Sequence, residues 1–174
     1  IRPKKQQVQD NIANWLDKQS KKYPVLRGRT AITLSGPDPI NAAHALRGTS
    51  PKYIYLYEQD DQTWELANKE IQEAQKQNKA QNVYLAFSKD IYEYKHEYCN
   101  CFYYDFCTSH KNVNWKHIKE EFKTQMKANQ SFSVVFTLSL RGDGCGLKDT
   151  QEVIRKFYKS ILSEDDTYVM KRIR

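Results

Sequence analysis

The sequence predicts an α/β chain: a doubly wound, mostly parallel sheet with helices on both faces. Three observations carry this. Short β-branched and aromatic runs alternate with longer segments whose apolar residues recur every three or four positions, the order of strand and crossover helix in a parallel sheet. No internal repeat and no Gly/Ser linker interrupts the 174 residues, a length that fits one domain over 1–174. The strand-like runs close on turn formers and acids, at the side where such sheets bind ligands.

The elements follow in order. From about Lys5 to Tyr23, Val8, Ile12, Trp15, Leu16 and Gln19 form the stripe of an amphipathic helix, and Pro24 ends it. Thr30–Leu34 is a short buried strand stopped by Ser35-Gly36-Pro37-Asp38-Pro39. Pro39 suits the first turn of a helix running to Gly48. A second strand spans Lys52 to Glu58, after which Asp60 or Asp61 caps a helix bearing Trp64, Ala67, Ile71 and Ala74. Further strands are expected at Asn82–Phe87, Cys101–Phe106 and Ser131–Leu140. Helices are expected at Trp115–Lys127 and Thr150–Leu162. Thr167 to Ile173 begins a sixth strand, so the sheet is expected to be truncated soon after that strand starts.

Composition narrows the class. With 39% hydrophobic residues and twelve tyrosines the chain is folded rather than disordered. No apolar run approaches the roughly 18–20 residues that cross a bilayer, and Ile1-Arg2-Pro3-Lys4-Lys5 lacks the apolar stretch of a signal peptide. An intracellular protein of cytoplasm or nucleus, with no membrane partner, is expected. Cys99 and Cys101, one residue apart, lack the spacing of a zinc knuckle and would share a strand face, so packed thiols are expected there. The net charge is +7. Cations gather near both ends, at Arg2, Lys4, Lys5, Lys18, Lys21, Lys22, Arg27 and Arg29, then at Arg155, Lys156, Lys159, Lys171, Arg172 and Arg174. They suggest a basic face made from the two termini and a polyanionic partner, nucleic acid with RNA favoured.

The strand ends carry the candidate chemistry: Ser35-Gly36-Pro37-Asp38, Glu58-Gln59-Asp60, Ser88-Lys89-Asp90 and Asp105-Phe106-Cys107-Thr108. In this order they resemble the divergent end of the class I S-adenosylmethionine (SAM)-dependent methyltransferases, a Rossmann-like family. The resemblance implies that Ser35, Gly36, Pro37 and Asp38 cradle the amino-acid part of SAM. It likewise implies that Glu58, with Gln59, binds the ribose and that Ser88, Lys89 and Asp90 frame the adenine. Asp105 and Phe106 would then face the reacting centre. A transferase acting on or binding nucleic acid is the function this implies.

Two departures from the family pattern define the competing expectation. The glycine-rich first loop is reduced to Gly36 between Pro37 and Pro39, and the Asn/Asp-Pro-Pro-Tyr motif of amino-methylating enzymes is absent. The second reading is a catalytically inactive methyltransferase-like module that binds RNA or a protein partner as a scaffold or stabilising subunit. No phosphate-binding P-loop and no dinucleotide fingerprint is present to support a different nucleotide cofactor.

Overall fold

A computed structural model of the chain describes residues 3–86, 90–93, 98–106, 108–128 and 131–163. The elements are α1 (Pro3–Lys22), β1 (Thr30–Leu34), α2 (Pro39–Leu46), β2 (Tyr53–Tyr57), α3 (Asp61–Lys76), β3 (Val83–Leu85), β4 (Cys99–Asp105), α4 (Trp115–Lys127), β5 (Ser133–Thr137) and α5 (Leu147–Ile161). The expected sixth strand, with Ser88, Lys89 and Cys107, lies outside the described residues.

The sheet order is β3-β2-β1-β4-β5, and every described pairing is parallel. The chain winds outward from β1 to β3 and returns to lay β4 on the other side of β1, which puts the switch point between β1 and β4. Side chains alternate across the sheet. One layer joins Ala31, Ile54, Leu56, Tyr103 and Val135 to Ile12 and Leu16 of α1, Leu46 of α2 and Ile71 of α3. The other joins Ile32, Phe102 and Tyr104 to Ile118 and Phe122 of α4 and Phe157 of α5. Fully burying each such side chain is worth about 1.5–3 kcal/mol.

Local chemistry explains the boundaries. Asp60 caps α3 by accepting hydrogen bonds from Thr63 N and Thr63 Oγ1 at 2.9 and 2.7 Å. Asn114 caps α4 through His117 N at 3.1 Å. β5 is shorter than the apolar run Ser131–Leu140 suggests, because its partner β4 ends where Asp105 pairs with Thr137. The buried stripe of α1 is Gln9, Ile12, Leu16 and Ser20, whereas Val8 is exposed. The helix docks on a turn rather than on apolar side chains alone: Ser20 Oγ donates to Gly48 O at 2.8 Å.

Cys99 and Cys101 do not share a face. Thr30 pairs with Cys99 while Ala31 pairs with Cys101, so Asn100 is an extra residue in β4. The bulge sends Cys99 to the α4 side and Cys101 to the α1 side, both buried and unbridged. The layers also separate the two basic ends, since α1 and α5 lie on opposite sides of the sheet. Among the described residues, Lys18 and Lys22 therefore do not form one face with Arg155 and Lys159.

Candidate functional site at the carboxyl edge of the sheet

The carboxyl ends of β1, β2 and β4 bring together the strand-end residues singled out in the sequence. After β1, Ser35 N donates to Tyr57 O at 2.9 Å, continuing the β1–β2 pairing, and its hydroxyl donates to Gly36 O at 2.9 Å. Gly36 has φ +60°, the left-handed region that favours glycine, and a Cβ built there would meet nothing within 4 Å. The backbone at Gly36 thus faces open space. Asp38 precedes α2, whose first residue Pro39 is buried.

After β2, one carboxylate oxygen of the half-buried Glu58 accepts from Asp60 N at 3.0 Å, which holds the acid at the mouth of the turn. Gln59 beside it is exposed. Trp64 of α3 donates its indole N–H to Ala86 O at 2.7 Å, tying the helix to the end of β3. Asp90 accepts from Tyr92 N at 3.0 Å and opens a 3-10 turn, Ile91–Glu93.

Asp105 ends β4 across from Thr137 of β5. Burial pushes its carboxyl pKa up, and the charge of Lys5 together with a hydrogen bond from Thr137 partly offsets that. The first turn of α1 thus acts electrostatically on this edge of the sheet. Phe106 packs in an aromatic column, its ring 5.4 Å from Tyr104 and 5.9 Å from Tyr92. A packing role is therefore what its contacts display.

Two groups that act on Asp105 lie far away in sequence, Lys5 and Thr137. On α3, burial raises the Glu70 pKa first, and the Asp38 charge raises it further. Only the alternation of β5 hints at Thr137, and nothing in local sequence marks Lys5 or Glu70. The far wall is fixed by the loop after β5: His110 Nε2 lies 2.7 Å from Gly144 O, and Lys111 Nζ donates to Asp143 O at 2.5 Å. Among the described residues no group of three His, Cys, Asp or Glu gathers as a metal site, and no helix is long and apolar enough to cross a membrane.

An acid-lined carboxyl edge at the switch point of a parallel sheet in this order defines a class I methyltransferase-like fold. Solved structures share it. A SAM-dependent methyltransferase from Leishmania major superposes with TM-score 0.55 at 11% identity, over 88% of this chain and 62% of that one. A SAM-dependent O-methyltransferase from Thermotoga maritima gives 0.54 at 17% identity, over 90% of this chain and 50% of that one. An rRNA methylase from Streptococcus thermophilus gives 0.51 at 13% identity, over 94% and 84%. The chain thus spans only about half to two thirds of the first two. No protein-family model matches the chain, and no curated protein matches it by sequence. The likeness is one of fold.

Proposed function

We propose that the carboxyl edge binds SAM and that the chain is a methyltransferase-like domain acting on or binding nucleic acid, with RNA favoured. The observation that carries this reading is the convergence of Gly36, Glu58 and Asp105 on one edge at the β1/β4 switch point. The donor set suits the cofactor. Glu58 offers charge-assisted acceptors to ribose hydroxyls, with Gln59 beside it. Asp38 offers negative charge to an ammonium, and in the Ser35-Gly36-Pro37 loop the backbone of Gly36 faces open space. Ser88, Lys89 and Asp90 belong to the segment that would frame the adenine.

Bound SAM supplies an electrophilic methyl group on its sulfonium. The chain's contribution is placement: Asp105, steadied by Thr137 and Lys5, accepts a hydrogen bond from the incoming group, with Phe106 packed behind it. Orientation of this kind is worth several kcal/mol, roughly 7–11 at best. The net charge of +7 favours a polyanionic acceptor. The second reading, an inactive module, draws on the single glycine of the first loop between two prolines.

Isothermal titration with SAM and S-adenosylhomocysteine separates them. Heat and a thermal shift are expected, and Glu58→Ala should weaken binding by roughly ten- to a hundredfold, the scale of a lost charge-assisted pair. Absence of heat at millimolar ligand would favour the inactive module. Affinity unchanged in Glu58→Ala would remove Glu58 from the cofactor site.

A further inference from the structure

The β2–β3 end of the sheet carries an α-helical layer on one side only among the described residues. Ile54, Leu56, Ile71 and Val83 pack together on the side of α2 and α3. Tyr53, Tyr55 and Tyr84 project from the other side, where α4 and α5 cover the β4–β5 half. Within the described residues, the connection from β3 to β4 contributes only the 3-10 turn Ile91–Glu93. The three rings touch one another: Tyr55 and Tyr84, paired in register, stack at 5.5 Å and 29°, and Tyr53 lies 6.0 Å from Tyr84 and 6.5 Å from Tyr55. Tyr53 is 37% and Tyr84 44% exposed, a contiguous aromatic surface.

Cations border this surface at the amino edge of the sheet. Lys52 Nζ lies 5.3 Å from the Tyr53 ring centroid, and the backbone of Lys52 is bonded to Arg29 O at 2.8 Å. Arg27 donates to Ser50 Oγ at 2.8 Å, and Ser50 N donates to Arg47 O at 2.9 Å. Arg27, Arg29, Arg47 and Lys52 are thus held along one short edge. From Lys18 to Tyr57 the only acid in the chain is Asp38, at the opposite edge. Positive charge here is not neutralised by its own segment.

We propose that this tyrosine face and its bordering cations bind single-stranded polynucleotide, bases stacking on Tyr53 and Tyr84 and phosphates meeting Arg29 and Lys52. Here the outward positions are tyrosines, whose rings stack on any base while their hydroxyls stay wet. The surface is separate from the carboxyl edge and does not depend on SAM binding there.

The test is fluorescence anisotropy of the 174-residue chain with a labelled oligouridine of about twelve nucleotides, and with a duplex of equal length. Single-strand binding that weakens with added salt is expected, tighter than duplex binding. Tyr53→Leu/Tyr84→Leu keeps apolar bulk but removes the stacking rings, and should weaken binding by roughly tenfold or more. Arg29→Gln/Lys52→Gln should weaken it and lower the salt slope by about one to two. No binding at low salt, equal affinity for duplex, or unchanged affinity in the tyrosine variant would overturn the proposal. SAM titration of the same variants keeps the two readings apart. Oligouridine binding without SAM binding leaves this surface standing and removes the cofactor site, and the converse does the reverse.

Discussion

Asp105 is where position and stability oppose each other. Burial at the end of β4 raises its pKa, and the Lys5 charge and the Thr137 hydrogen bond only partly compensate. A group whose pKa is higher in the folded chain holds its proton more tightly when folded. Its contribution to stability is full below the unfolded pKa and is lost as the pH rises through the folded one. At neutral pH the ionised Asp105 is therefore a cost to the fold. Asp105→Asn is expected to raise Tm at pH 7 by roughly 1–4 °C, with the gain shrinking at acidic pH as the native carboxyl takes up its proton. Calorimetry at neutral and acidic pH checks this; an equal gain at both would mean that ionisation is not the cause.

At the scale of elements, the seat of α1 is decided by a glycine. A Cβ built on Gly48 would run into Ala13 O and lie 2.6 Å from Asp17 N and 3.0 Å from Leu16 Cβ, all in α1. Two of these are backbone atoms that no rotamer change can move aside. Gly48→Ala is expected to cost about 1–3 kcal/mol by overpacking, read as a lower urea midpoint, with α1 cleaved sooner in limited proteolysis. A stable variant with an unmoved helix would contradict the close approach. The sequence shows Gly48 only as a helix end, since the atoms it must admit lie some thirty positions earlier. β1 and α4 are legible with their observed bounds because local signals set both ends: Ser35-Gly36-Pro37 after one, the Asn114 cap before the other. Longer-range matters are not legible. The bulge at Asn100, which parts Cys99 from Cys101, depends on pairing with β1, and the end of β5 depends on where β4 stops. The site divides the same way: Glu58 and Asp105 are readable as strand ends, whereas Lys5 and Thr137 act at the edge only through the fold.

For the whole molecule, parallel winding converts local helix chemistry into a global polarity. The crossover helices α2, α3 and α4 start at the carboxyl edge and return to the amino edge. α3 and α4 carry Lys76 and Lys127 in their last turns, and α1 ends with Lys21 and Lys22, as the helix dipole favours. Acids collect at the other edge, in Asp38, Glu58, Asp60, Asp61 and Asp105. On the two readings proposed above, the acidic edge suits a cofactor with a sulfonium and an ammonium, and the basic edge suits a polyanion. With salt screening charges beyond about 10 Å, sites at opposite ends of the strands couple weakly. Saturation with a short oligouridine of about six nucleotides is therefore expected to leave the SAM Kd within roughly twofold, a coupling close to zero. Titration calorimetry with and without the oligonucleotide measures it. A shift of tenfold or more would place the nucleic acid at the carboxyl edge, against the Asp105 loop, and would assign the tyrosine face to another partner.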